Sequence, residues 1–166
     1  MAIRWDRFSH KALRSICEST RRLNIWHGAV RSSKTASSIV RSLEFIATAP
    51  PGDILISGKT ERTVYRNILR LIQDIVGSDN FRYARNTGEC TIAGRLCYVA
   101  GANDERAEEK IRGMTLIGAY VDEATVLPES YFRMLGTRLS LPGAKMFATT
   151  NPDSPFHWLY TDYIQN

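Results

Sequence analysis

"GAVRSSKTA", residues 28–36, decides how the rest of this chain is read. It departs by one letter from the phosphate-cradling pattern G-x-x-x-x-G-K-[ST], with Ser33 where the second glycine belongs. Each position has a physical task. Gly28 permits a tight turn after a strand, Lys34 would set its ammonium on the β- and γ-phosphates of a nucleotide, and the Thr35 hydroxyl would ligate Mg²⁺. The backbone N–H groups of Gly28, Ala29, Val30, Arg31, Ser32 and Ser33 would join the start of the next helix in an anion site. Serine at position 33 costs about 1–2 kcal/mol if the backbone there is left-handed, a strain that bound phosphate can offset. The bland alternative is an ordinary strand–turn–helix junction.

The flanks favour the phosphate loop. "LNIW", residues 23–26, reads as a brief buried strand just before Gly28. From Lys34 onward, Ala36, Ile39, Val40, Leu43, Ile46 and Ala47 keep the spacing of a helix with one apolar face. Pro50 and Pro51 stop it. An earlier helix is expected over about residues 8–21, a strand over residues 53–58, and a long amphipathic helix over residues 60–76. That last helix would bury Val64, Ile68, Leu71, Ile72 and Ile75, with Gly77 as its cap. Short strands follow in "FRYAR", "CTIAG" and "LCYVAG", then a polar helix in "NDERAEEKIRG" and strands in "LIGAYVDEA" and "AKMFATTNP". Alternation of this kind predicts an α/β domain with a mainly parallel central sheet flanked by helices.

Two further motifs sit at strand ends. "LIGAYVDEA", residues 116–124, is an apolar strand closing on adjacent acids. Asp122 would hold the Mg²⁺ shell and Glu123 would polarise an attacking water. Two neighbouring carboxylates at the end of a buried strand are costly unless a cation or hydrogen bonds compensate. "FATTNP", residues 147–152, ends the next strand on Thr149, Thr150 and Asn151, whose hydroxyl and amide groups could sense a γ-phosphate at the ligand-binding edge of an open sheet. Alone, the acids could be a strand emerging into solvent and the Thr-Asn-Pro a turn starter. Together with the loop, in this order, they read as one nucleotide site.

Composition sets the bounds. The 166 residues are 43% hydrophobic and 23% charged, which suits one globular domain. No apolar run reaches the length of a membrane span, and the start lacks the apolar stretch of a secretion signal. Cys17, Cys90 and Cys97 form no metal-binding spacing and read as reduced core thiols. His10, His27 and His157 are too scattered for a zinc site. Net charge is +5, and residues 1–35 carry eight Lys/Arg against two Asp/Glu, a bias that suits a polyanionic ligand.

Taken together, these segments resemble the ATPase domain of the large terminase subunit, the DNA-packaging motor of tailed bacteriophages. "GAVRSSKT" is similar to that family's G-x-x-R-[SA]-[GS]-K-[ST] loop. "GANDERAEEKIRGMTLIGAYVDEATVLPE" resembles the region leading into its acidic pair, and "FATTNPDSPFHWLY" its coupling motif. The resemblance runs from "FSHKA" to the end. It implies a three-layer P-loop NTPase of the ASCE type, with ATP and Mg²⁺ as ligands. Lys34 and Thr35 would bind phosphate and Mg²⁺, Asp122 would bind Mg²⁺, and Glu123 would be the catalytic carboxylate. Thr149, Thr150 and Asn151 would couple hydrolysis to movement, and Arg31 would sense or stabilise the triphosphate. Arg112 would be a finger supplied to a neighbouring subunit, its bland alternative being a surface charge near Glu108 and Glu109. Ala12 stands where the family often has glutamine near the adenine.

The implied setting is a homo-oligomeric ring on the capsid, working with double-stranded DNA, a portal protein and a small terminase subunit, and with no membrane. It would act in the host cytoplasm, docked transiently on the procapsid. The whole chain, residues 1–166, is expected to be the ATPase domain, without the nuclease domain that full-length relatives carry. Lys59, Arg62, Arg66 and Arg70 share one face of the helix over residues 60–76 and could follow a phosphate backbone. The alternatives are a solvated helix face, or DNA contact through Arg4, Arg7, Arg14, Arg21 and Arg22. A helicase-like ATPase and a degenerate, non-hydrolysing nucleotide-binding module are the competing functions.

Overall fold

The computed structural model describes residues 8–29, 33–103 and 106–165. Helix α1 (His10–Glu18) starts where the Ser9 hydroxyl accepts the Ala12 N–H, and strand β1 (Leu23–His27) follows it. Helix α2 (Lys34–Thr48) begins directly after Ser33 and stops ahead of the Pro50–Pro51 pair that the sequence marked. Strand β2 (Asp53–Gly58) leads into α3 (Glu61–Val64), which Thr60 and Thr63 open with a reciprocal capping box.

Beyond α3 the expectation of one regular helix needs correction. Residues Tyr65–Leu69 form a wider π-helical turn before α4 (Arg70–Val76), with the Arg70 N–H donating to the Tyr65 carbonyl. The extra residue advances the helix out of α-periodicity. Val64, Ile68 and Ile72 are buried as expected, but Leu69 is fully buried too, while Leu71 and Ile75 are only partly covered. Gly77 caps the helix at φ 84°.

Strands β3 (Phe81–Ala84), β4 (Glu89–Ile92) and β5 (Arg95–Gly101) come next, then α5 (Ala107–Arg112), β6 (Leu116–Val121), α6 (Glu129–Arg138) and β7 (Lys145–Thr150). One seven-stranded sheet results, in the order β1-β7-β6-β2-β5-β4-β3. The pairings β1–β7, β7–β6, β6–β2 and β2–β5 are parallel, and β4 and β3 are added antiparallel on the β5 side. The mainly parallel sheet expected from the alternation is therefore present. Helix α6 escaped the sequence reading, although Tyr131, Phe132 and Leu135 bury one face of it just after Pro128.

Helices cover both faces. From α2, Ser38 meets the Tyr120 hydroxyl at 2.9 Å, and the Phe45 ring fills the space above Gly118, so α2 lies on the face shown by alternate residues of β6. From α6, the Tyr131 hydroxyl meets Ser57 at 2.7 Å on the other face. Between them the core joins Trp26, Phe45 and Phe147, with Phe147 5.5 Å from Phe45 and 6.3 Å from Trp26. Arg95 closes the C-terminal end of α2, donating to the carbonyls of Ala49 (2.8 Å), Ile46 (3.3 Å), Gly52 (3.3 Å) and Pro50. Cys90 and Cys97 are buried opposite one another on β4 and β5, and burial pushes both thiols up to about 12. Cys17 is exposed, so it is not the core thiol the sequence suggested. No helix among the described residues is long and apolar enough to cross a membrane.

Candidate functional site

The strand order settles which loops can meet. With β1, β7 and β6 adjacent and parallel, their carboxyl ends open on one edge, and the segments that follow them lie side by side. Those segments contain Gly28 to Lys34, Asp122 and Glu123, and Asn151. The three motifs, spread over more than a hundred residues of chain, are brought together by topology.

Ser33 adopts φ 59°, ψ 7°, the left-handed conformation that the missing glycine would have supplied. Its carbonyl accepts the first helical bond, from Ser37 N–H at 3.0 Å, and its side chain makes no capping bond. The N–H groups of the first turn of α2 have no acceptor within the helix, as at any helix start. Lys34 turns back over this opening. Its Nζ donates to the Asn151 Oδ1 at 2.6 Å and to the Ala29 carbonyl at 3.0 Å, tying the loop after β1 to the end of β7. Gly28 N–H adds a long bond of 3.4 Å to the Thr150 carbonyl. Val30, Arg31 and Ser32 lie outside the described residues, as do Arg4 and Arg7.

Asp122 is 6% exposed, and its backbone N–H donates to the Ser57 carbonyl at 2.8 Å. The Thr149 hydroxyl donates to its Oδ1 at 3.0 Å and accepts the Glu123 N–H at 3.1 Å, so one side chain orients both acids. Burial raises the Asp122 carboxyl above its ordinary value. The Thr149 bond opposes that, the Glu123 charge adds to it, and side-chain bonding from Asn67 and the Glu123 backbone lower it. Glu123 is exposed and held at φ 50°, ψ 58°, unusual for a non-glycine residue. The hard oxygens of Asp122 and Thr35 are a donor set that fits Mg²⁺, and a cation there would relieve the cost of burying the carboxylate. Thr35 is half-buried at the start of α2. Thr150 donates to the Thr125 hydroxyl at 3.0 Å.

Arg112 ends α5, four residues ahead of β6. Asp122 and Glu123 follow the far end of that strand, so roughly 20 Å of extended chain separates the arginine from them. Its carbonyl accepts from Arg138 Nη1 at 2.6 Å. Within one chain, Arg112 is not brought to the loop and the acids.

The basic stripe forms a separate feature. Arg62, Arg66 and Arg70 line a groove of about 690 Å³ together with Glu61, Tyr65, Tyr83 and Arg85, while Lys59 is exposed at the end of β2. Tyr65 and Tyr83 stack at 5.8 Å, and the Arg85 guanidinium lies 4.5 Å from the Tyr65 ring centre. Sequence spacing could find the arginines of one helix, but not Tyr83 and Arg85, which come from the neighbouring hairpin. Of the other basic candidates, Arg14 pairs with Glu18 at 2.7 Å and Arg22 donates to the Gly136 carbonyl at 3.1 Å. Ala12 is buried in α1. No cluster of three His, Cys, Asp or Glu suited to a metal occurs among the described residues.

Residues 8–166 match the family model described as terminase large subunit, T4likevirus-type, N-terminal. The structure is similar to that of the large terminase from the thermophilic bacteriophage D6E. The TM-score is 0.81 at 25% identity, covering 96% of this chain and 43% of that one. The same D6E protein in complex with ADP aligns at TM-score 0.81 and 26% identity, over 95% of this chain and 42% of that one. The large terminase ATPase domain of Thermus phage P74-26 shares the fold, at TM-score 0.67 and 16% identity, over 93% and 68% of the two chains. This chain thus spans less than half the length of the D6E protein. No curated protein matches it.

Proposed function

This chain belongs to the terminase large-subunit family of the T4-like-virus type, and from that premise we propose that it is an ATP-hydrolysing motor domain that drives double-stranded DNA into a viral capsid. The observation that carries the proposal is the convergence of Lys34, Asn151, Thr149, Asp122 and Glu123 at the ends of three adjacent strands. The D6E relative is known in complex with ADP. The same ligand class suits the left-handed Ser33 and the start of α2, which no side chain of Ser33 caps.

In this reading the β- and γ-phosphates of ATP rest on the first turn of α2, and Lys34 exchanges Asn151 and the Ala29 carbonyl for phosphate oxygens. Asn151, released, is placed to contact the γ-phosphate. Thr35 and Asp122 would hold Mg²⁺, which when bound neutralises charge on the β- and γ-phosphate oxygens. Glu123 orients the water that attacks the γ-phosphorus as the bond to the ADP oxygen breaks. Arg31 supports the triphosphate, and Arg112 acts on the neighbouring copy in a ring, which suits its distance from its own chain's acids. Arg62, Arg66 and Arg70 contact the DNA backbone at the tyrosine-lined groove, with Lys59, exposed at the end of β2, as a further contact. The ring docks transiently on the procapsid in the host cytoplasm, with a portal protein and a small terminase subunit as partners.

No observation favours a helicase-like ATPase, and the presence of Glu123 beside Asp122, both oriented by Thr149, speaks against a degenerate binding module. The test is ATP hydrolysis as a function of protein concentration, for the parent, Glu123→Ala and Arg112→Ala. Specific activity that rises with concentration and is lost in both variants is expected. Nucleotide binding without hydrolysis at any concentration would overturn the reading. In parallel, replacing Arg62, Arg66 and Arg70 together by alanine should reduce the salt slope of DNA affinity by about three units, and an unchanged slope would remove the groove from the DNA path.

A further inference from the structure

The turn that carries Glu123 is held from one side by a single downstream segment. Thr149 accepts the Glu123 N–H, Thr150 bonds the Thr125 hydroxyl, and the imidazole of His157 meets the Thr125 carbonyl oxygen, with Nε2 and O 3.0 Å apart. The tautomer follows from the other ring nitrogen. Leu159 N–H donates to Nδ1 at 3.1 Å, so Nδ1 offers a lone pair and Nε2 carries the hydrogen that goes to Thr125. Between these holds lies Asn151, the partner of Lys34, and then Pro152, Asp153, Ser154, Pro155 and Phe156, all exposed. Phe156 is 88% exposed. Its own bonds are local, from Ser154 N–H to Asp153, from Phe156 N–H to the Ser154 hydroxyl and from His157 N–H to the Ser154 carbonyl, so its ties to the sheet lie mainly at its two ends.

The turn itself needs support. Glu123 is in a conformation that L-residues disfavour, and Ala124–Val126 is a single 3₁₀ turn closed by Val126 N–H to the Glu123 carbonyl at 3.0 Å and Leu127 N–H to the Ala124 carbonyl at 3.3 Å. The His157 ring also lies 5.0 Å from Trp158, which packs 5.2 Å from Phe132 of α6 and 6.2 Å from Tyr163 in the terminal π-helical turn Tyr160–Ile164.

We infer that His157 is a positioning residue: its bond to the Thr125 carbonyl closes a bracket, from Thr149 through Asn151 to Leu159, that fixes the Glu123 turn and links it to the terminal turn. Release of Asn151 from Lys34 by phosphate is then felt at both ends of the bracket. The inference rests on the reading of Glu123 as the hydrolytic carboxylate.

Two substitutions separate the bonds of the ring. His157→Asn keeps an acceptor near the Nδ1 position for Leu159 N–H but lacks the reach to Thr125. His157→Gln places a donor near Nε2. In His157→Asn, amide exchange at Val126 and Leu127 should quicken about tenfold or more, kcat should fall roughly 10- to 100-fold, and nucleotide affinity should stay within about twofold. His157→Gln should recover most of both losses. Unchanged exchange in His157→Asn overturns the bracket, and faster exchange with unchanged kcat overturns its positioning role. So does a defect confined to nucleotide affinity. If the parent itself binds nucleotide without turning it over, the hydrolysis reading fails and takes the positioning of a catalytic Glu123 with it. Exchange at Val126 and Leu127 still decides the bracket in that case.

Discussion

Replacing Thr149 by valine removes one hydroxyl from between two acids and changes almost nothing else. The side chain is 1% exposed and valine has nearly its shape, so no cavity opens. Two bonds to the acids are lost, the donor to the buried Asp122 carboxylate and the acceptor for the Glu123 N–H, together with the contact of the hydroxyl to Tyr120. The first is worth about 1.5–3 kcal/mol and the second about 1 kcal/mol, so Thr149→Val should lose roughly 3 kcal/mol of stability without nucleotide. For a domain of this size that lowers Tm by roughly 6–12 °C. Thr149→Ser keeps the hydroxyl and should lose about 1 kcal/mol for the buried methyl. Urea unfolding of the three proteins gives the differences directly, and single-turnover hydrolysis shows whether freeing the Glu123 N–H slows chemistry. A Thr149→Val protein as stable as Thr149→Ser would refute the claim that this hydroxyl holds both acids.

Two other outcomes follow from the local geometry. Ser33→Gly removes about 1–2 kcal/mol of left-handed strain, offset in part by the greater freedom of unfolded glycine, for a net gain of roughly 0.5–1 kcal/mol; Ser33→Ala keeps the strain and should shift the urea midpoint little. A loss of stability in Ser33→Gly would mean that the serine side chain holds the loop. Arg95→Ala leaves carbonyls at the end of α2 without their donor and should cost about 2–4 kcal/mol, with Arg95→Lys restoring less than half because a point charge cannot fork among them; a loss below about 1 kcal/mol in calorimetry would show that water replaces the guanidinium.

What was legible in the sequence is what periodicity and motif chemistry encode locally. Helix α2 announced itself through its apolar spacing and the prolines behind it, and β6 through an apolar run ending in two acids. The bounds of β2 were read without error. Ser33 posed a conditional question about its backbone, and its φ of 59° answers it. The π-helical turn was hidden because Leu69 is an ordinary apolar letter in an already apolar helix. Only the sheet beneath it decides that both Ile68 and Leu69 go inward. Helix α6 was passed over although Pro128 precedes it and Tyr131, Phe132 and Leu135 keep helical spacing. Thr149 and Thr150 read as a pair of like hydroxyls. Alternation along β7 sends one to Asp122 and the other to Thr125, a difference that depends on having β6 as a neighbour. His157 looked inert because its partner is a backbone carbonyl, which no residue letter records.

The wide turn Tyr65–Leu69 leaves the segment over residues 61–76 with two phases. Its first part is set by Val64 against Gly58, its last by Ile72 in the core. Excising one residue from the wide turn would close the coil to about 3.6 residues per turn, and because the turn holds that residue as a local excess, the two ends would keep nearly their present phase and separation. Val64 could stay against Gly58 and Ile72 in the core, and what would go is the doubled inward position that now buries both Ile68 and Leu69. Among diverging descendants this segment should therefore tolerate a change of one residue in length, the wide turn present in the longer form and absent in the shorter, more readily than a polar letter at Val64 or Ile72.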